Sequence, residues 1–147
     1  MSREYPDHPR LGVGAVVLRE GCVLLVKRGR PPGLGKWSLP GGLVDLGENT
    51  ADAARREVAE ECGIAVRLAG VAGVAERIVR DASGRVRYHY VLVDYLAYPE
   101  SDSICAGTDA AEVRWVPADH VHALNATEGL IDMIRRAMAL ATDESAL

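Results

Sequence analysis

Residues 42–64 constrain this chain more than any other stretch. They run from a glycine bend through an acid, Glu48, into a helix-compatible segment that closes on Arg56, Glu57, Val58, Glu60, Glu61, Cys62 and Gly63. Asn49 is a good N-cap, and Asp52 three residues on makes a variant of the capping box. Gly63 suits the left-handed residue that ends a helix, so the pattern predicts a helix over about residues 50–62. At about 100° per residue, Glu57, Glu60 and Glu61 fall within an arc of roughly 100°. Ala51, Ala54, Val58 and Cys62 fall on the adjoining arc. One stripe packs on a core while its neighbour presents three carboxylates. Like charges at such spacings destabilise a helix by a few tenths of a kcal/mol per pair. A divalent cation would remove that cost, and hard Mg²⁺ prefers carboxylate, carbonyl, water and phosphate oxygens.

Gly42, Glu48, Arg56, Glu57, Val58, Glu60, Glu61, Gly63 and Ile64 fill every fixed position of the Nudix box, Gly-x5-Glu-x7-Arg-Glu-U-x-Glu-Glu-x-Gly-U with U aliphatic. From about residue 10 to residue 140 the chain resembles the Nudix hydrolase family. The resemblance implies an α/β fold, the Nudix α/β/α sandwich with a central mixed sheet and the loop-helix. It implies hydrolysis of a phosphoanhydride with Mg²⁺, or Mn²⁺, as cofactor. Glu57 and Glu61 are then the metal ligands, with Glu60 and the Gly41 carbonyl beside them. Arg56 orients the glutamates by an ion pair, with Glu48 as its partner. The general base varies among members, so Glu57, Glu60 and a downstream acid, Glu112, are all candidates.

The remaining bounds are consistent with a small-molecule enzyme. A length of 147 residues suits one domain with one core: an arm over 1–9, a domain over 10–142 and a tail over 143–147. A formal net charge of −4 argues against broad binding of nucleic-acid polymers or anionic membranes. It leaves room for a local basic pocket. Cys22, Cys62 and Cys105 form no Cys-x-x-Cys pair, which fits a reducing cytoplasm. The N-terminal residues contain no apolar core of a signal peptide, and no apolar run is long enough to cross a bilayer.

Taken in order, residues 1–10 read as an extended arm with the character of a loose tail. Residues 11–19 and 22–27 read as strands joined in a hairpin by Glu20 and Gly21. A loop rich in glycine and proline follows, carrying Arg28, Arg30 and Lys36 after Lys27. Phosphate contact and simple solvation weigh about equally for each of these cations. By resemblance Arg28, at the strand end, faces substrate, and Lys27 and Trp37 are further candidates for substrate contact. After the helix, residues 64–68, 71–79 and 85–97 read as strands, with a turn at Asp81–Gly84. Residues 111–116 make a last strand, and Thr127 caps a final helix over about 128–141 with Leu130, Ile131, Ile134, Met138 and Ala141 inward. Tyr88 and Tyr90 share a strand face and could stack a base, with core packing or a dimer contact as the default reading. His8, His89, His120 and His122 have no metal-ligand spacing.

The box fixes the reaction and leaves the group linked to the diphosphate open. ADP-ribose members of the family often carry a proline well past the box, and here no proline lies between Pro40 and Pro99. Two substrate readings stay in play: a nucleoside diphosphate linked to another moiety (ADP-ribose or a nucleotide sugar), and a (d)NTP. A non-catalytic nucleotide sensor is a third, and such modules often lose box glutamates that this chain keeps. The family and the long strands also imply a homodimer.

Overall fold

The computed structural model describes residues 3–101 and 103–146, with side chains to residue 143. Strands β1 (Arg10–Arg19) and β2 (Cys22–Arg28) are joined by Glu20 and Gly21, at φ 49° and 78°. This left-handed pair matches the twist of a tight hairpin. Their ladder holds only two register pairs, Leu18 with Val23 and Arg19 with Cys22. Beyond that point each strand takes new neighbours. β1 pairs antiparallel with β4 (Gly41–Leu43) and parallel with β6 (Val86–Pro99). β2 pairs with β3 (Trp37–Ser38) and β7 (Ala110–Pro117). β5 (Val66–Arg80) closes one edge against β6. The result is one seven-stranded mixed sheet in the order β3-β2-β1-β6-β5, with β4 on β1 and β7 on β2. The forked hairpin leaves an opening between its arms.

Helices cover both faces. α1 (Thr50–Cys62) sets Val58 and Cys62 against Ala15, Val17, Leu24, Val26 and Ala97. α2 (Leu130–Ala146) sets Met133, Ile134 and Ala137 against Val16, Val23, Leu25 and Leu96. Successive residues of one strand therefore serve opposite cores, the period-2 pattern of a sheet buried on both sides. Leu24, Leu25 and Leu96 are fully buried, and truncating any one of them to alanine would cost about 2–5 kcal/mol.

Three details depart from the sequence pattern. Residues 66–80 form one strand, with register shifts between Leu68 and Gly73 absorbing the break near Gly70. α2 begins later than expected: Gly129 takes φ 83°, and the Thr127 amide donates to the Trp37 carbonyl instead of opening a helix. Met138 is 41% exposed, and Met133 and Ala137 share the inward face with Leu130 and Ile134. Finally, the described part of the N-terminal arm is tied down. The Tyr5 amide donates to the Arg87 carbonyl at 2.7 Å, its hydroxyl donates to Asp81 at 2.9 Å, and the Arg85 guanidinium lies 4.3 Å from its ring centroid.

Candidate active site

α1 starts and stops where its local chemistry dictates. The Asn49 side chain accepts from the Asp52 amide at 2.9 Å, and Gly63, at φ 67°, donates its amide to the Ala59 carbonyl. Ala53, Ala54, Val58 and Cys62 are buried. With that face fixed, Glu57 and Glu61 turn toward Gly41 and Gly42. The fit is close enough to demand glycine. A Cβ on Gly42 would lie 2.4 Å from the Glu57 carboxylate, and one on Gly41 would lie 2.1 Å from the Val13 carbonyl oxygen.

Arg56 knits the acids together. Its Nε and Nη2 donate to the two carboxylate oxygens of Glu48, each at 2.9 Å. Nη2 also donates to the Leu43 carbonyl at 3.0 Å, and Nη1 donates to Glu57 at 2.7 Å. Glu60 lies farther off, 3.3 Å from Nη1. A planar guanidinium gripping a carboxylate with two parallel bonds fixes orientation as well as charge. The Arg56 hydrogen bonds hold the Glu48 carboxyl down to about 2. The same contact makes Arg56 harder to deprotonate than an ordinary arginine.

Glu57 and Glu61 behave differently. Burial pushes the Glu61 carboxyl up to about 7, against the pull of its hydrogen bond from the Gly41 amide at 2.7 Å; the nearby Glu57 charge raises it further. Burial also raises Glu57, and the Arg56 hydrogen bond opposes it. Two desolvated carboxylates thus face one cleft of about 360 Å³; Glu57 shares Arg56 with Glu48, and Glu61 has only a backbone amide. Across the cleft stand Arg28 and Arg77, and the Glu61 charge acts on Arg28. Acid on one wall and cations on the other match an anionic ligand held through a divalent ion.

The donor set suits a hard cation. Among the described residues no three His, Cys, Asp or Glu side chains already form a closed cage. Glu57 is turned to Arg56, and Glu61 to the Gly41 amide. Mg²⁺ does not require such a cage, because it keeps several waters and takes one or two carboxylates plus substrate phosphates.

The NUDIX domain family model matches residues 8–137. The chain belongs to the Nudix family. It is 32% identical over 108 residues to the ADP-ribose pyrophosphatase of Methanocaldococcus jannaschii, covering 74% of this chain and 62% of that protein. It therefore spans less than two thirds of the archaeal relative. It is 38% identical over 113 residues to the Mycobacterium tuberculosis protein named "Putative 8-oxo-dGTP diphosphatase 2", covering 72% of this chain and 79% of that protein. Its fold superposes on the MutT Nudix hydrolase of Burkholderia pseudomallei with a TM-score of 0.74 at 32% identity, over 88% of this chain and 98% of that one. Nudix members are pyrophosphohydrolases and generally need divalent metal ions.

Against this Nudix frame, the cleft gathers Gly41, Gly42, Glu57, Glu60, Glu61 and Arg28. Glu48, Arg56 and Gly63 stand behind that wall, holding it. Three sequence candidates lie elsewhere. Trp37 is 6% exposed and packs in the α2-side core with Leu25 and Val116, under the Arg114 guanidinium. Lys27 sits in the ladder between Trp37 and Glu112, outside the cleft wall. Glu112 pairs with Arg114 at 2.6 Å and does not line the cleft, while Asp109, which pairs with Arg30 at 2.7 Å, does. The turn before β7 carries Asp109, three residues before Glu112, to the cleft.

Sequence reasoning also missed Arg77, Asp94 and Arg3, which line the same cleft, and for Tyr90 set base stacking behind core packing or a dimer contact. One signal was present: along β6, Tyr88, Tyr90, Leu92, Asp94 and Leu96 share a face, and Asp94 is the lone acid in that row.

Proposed function

We propose that the chain hydrolyses the pyrophosphate bond of a nucleoside diphosphate linked to another moiety (ADP-ribose or a nucleotide sugar), with Mg²⁺ as the metal and Mn²⁺ as its substitute. The observation that carries this reading is the pair of desolvated carboxylates, Glu57 and Glu61, facing Arg28 and Arg77 across one cleft. Glu57, Glu61 and the Gly41 carbonyl would hold the metal, with Glu60 beside them. When bound, the metal neutralises phosphoryl oxygens and lowers the pKa of a coordinated water. Arg56 keeps Glu57 aimed at the cleft from behind. Arg28 and Arg77 take the phosphate oxygens. Glu60 is the best placed base, since its carboxylate is 60% exposed at the cleft and only loosely held by Arg56.

The name of the archaeal relative supports an ADP-ribose-like substrate. A second reading, a (d)NTP pyrophosphatase, is favoured by the name of the mycobacterial relative. The two differ in products: a nucleoside monophosphate with a sugar phosphate, or with pyrophosphate. A panel of nucleotide sugars, ADP-ribose and triphosphates, with products identified by mass, tests both. Absence of cleavage across the panel with either metal would overturn the catalytic reading.

A homodimer belongs to the same proposal. Val71, Val74 and Ile78 on β5 and Leu11 on β1 are each more than 40% exposed, and a second copy would cover them. Light scattering that returned one chain's mass would remove it. Among the described residues no helix is long and apolar enough to cross a membrane. The three unpaired cysteines support a reducing compartment.

A further inference from the structure

The cleft has a second wall besides the acidic helix. Its wall is the α2-side face of β6 with Tyr90, Leu92 and Asp94, closed by Leu130 and Met133. Asp94 is 5% exposed, yet among the described residues it makes no hydrogen bond and no ion pair. Arg77 is the one charge resolved as acting on it. Arg77 itself is tied to the Glu128 carbonyl at 3.2 Å. The fold makes room for this acid: β1 runs parallel to β6 with Gly14 opposite Asp94, and a Cβ on Gly14 would lie 2.4 Å from Asp94 Oδ1. On the same strand face the buried Tyr90 hydroxyl has only the Arg3 guanidinium near it.

Buried polar groups are almost always paired, because an unpaired one forfeits its hydration. An unpaired carboxylate on a cleft wall points to a ligand that completes it. A carboxylate has only acceptors to offer, so its ligand must bring donors. The neighbours are flat or apolar (Tyr90, Leu92, Met133), which suits an aromatic ring better than a sugar. We propose that Asp94 reads the nucleobase, accepting two N–H bonds from one base edge, as the adjacent N1–H and N2–H of guanine present them. This rests on the nucleotide reading of the cleft and, within it, turns the substrate from ADP-ribose toward a guanine nucleotide, either a GDP-linked moiety or (d)GTP. Adenine offers an acceptor beside its donor, which a carboxylate does not satisfy. Sites built to bond a specific donor reject analogues that lack it by large factors.

The test needs no cleavage. Titration calorimetry with GMP, IMP and AMP reads base preference directly. Each charge-assisted bond lost is expected to cost about 10-fold or more, so GMP should bind about 10-fold tighter than IMP and about 100-fold tighter than AMP. Asp94→Asn, which offers one donor and one acceptor, should erase or invert the GMP-over-AMP preference while its melting temperature stays at or above that of the parent. The wild-type series alone remains decisive if that variant does not fold. Equal binding of GMP, IMP and AMP overturns the proposal. So does a loss confined to 2′-deoxy or 3′-deoxy GMP, which would assign Asp94 to the ribose. A base preference without cleavage of any diphosphate would sink the catalytic reading and leave Asp94 in place. Cleavage without base preference would do the reverse.

Discussion

The two walls of the cleft use the same functional group in opposite ways. On the α1 wall, each box acid has protein company. Glu48 and Glu57 share Arg56, and Glu61 holds the Gly41 amide. On the β6 wall, Asp94 has none. A carboxylate with several partners is pre-oriented before any ligand arrives, which is what a metal ligand or base requires. A carboxylate without partners is destabilised until a donor arrives, which is what discrimination between substrates requires. Chemistry and selectivity are therefore expected to separate cleanly by wall.

The largest effect expected is on the α1 wall. Glu57→Gln or Glu61→Gln should lower kcat by roughly 100- to 1,000-fold at saturating Mg²⁺, since each removes a charge from the metal-holding set. Melting temperature should not fall, because a neutral side chain sheds the cost of burial. GMP binding should be little changed. Full activity in either variant would dissolve the contrast at its root.

Next comes the pH response of the lone acid. Burial raises the Asp94 carboxyl from 3.8 to about 6, with Arg77 opposing. A raised acid binds its proton more tightly in the folded state. Stability therefore falls as pH climbs from 3.8 through 6, by up to roughly 3 kcal/mol, and the full penalty applies above that range. Asp94→Asn removes the penalty. Its stability relative to the parent should be highest at pH 8 and decline steadily toward pH 4. Urea unfolding at pH 4, 6 and 8 measures the slope, which is insensitive to any constant cost of the amide. A flat difference would mean that Asp94 is solvated after all.

The walls also differ in how far the primary structure announces them. The loop-helix is local: the Asn49 cap, the Gly63 stop and the spacing of Glu57, Glu60 and Glu61 all act within a few turns, so helix bounds of 50–62 are recovered to the residue. The β6 wall is assembled at long range. Asp94 enters the cleft because β1 and β6 pair in parallel with Gly14 opposite it, a match between residues 80 positions apart. Period-2 alternation marks Asp94 as odd, yet it does not say which core that face meets. The same limit explains Trp37. A large aromatic beside a glycine bend is compatible with a ligand wall, and only the bridge of Trp37 to Ala126 and the arrival of α2 bury it.

Two glycines allow the walls to be perturbed symmetrically. Gly42→Ala drives a methyl to within 2.4 Å of the Glu57 carboxylate, and Gly14→Ala drives one equally close to Asp94 Oδ1. Each forces a shift costing about 1–3 kcal/mol, or roughly a 10-fold change in whatever that acid does. Gly42→Ala should lower kcat and spare GMP binding. Gly14→Ala should weaken GMP binding and raise KM while sparing kcat. If both variants lost kcat alike, the walls would not be separable and Asp94 would belong to the chemistry.

The smallest effect tests the boundary of the α1 wall. Glu112 and Asp109 are both acids near the start of β7, and they differ in where they point. Glu112 spends its carboxylate on the Arg114 guanidinium, outside the cleft. Asp109 lines the cleft, and its charge raises the proton affinity of Glu61. Glu112→Gln should change kcat/KM by no more than about twofold, the range of an ordinary surface substitution. Asp109→Asn should exceed that, since it alters both the field on Glu61 and the Arg30 contact. The reverse order would restore Glu112 as the downstream base.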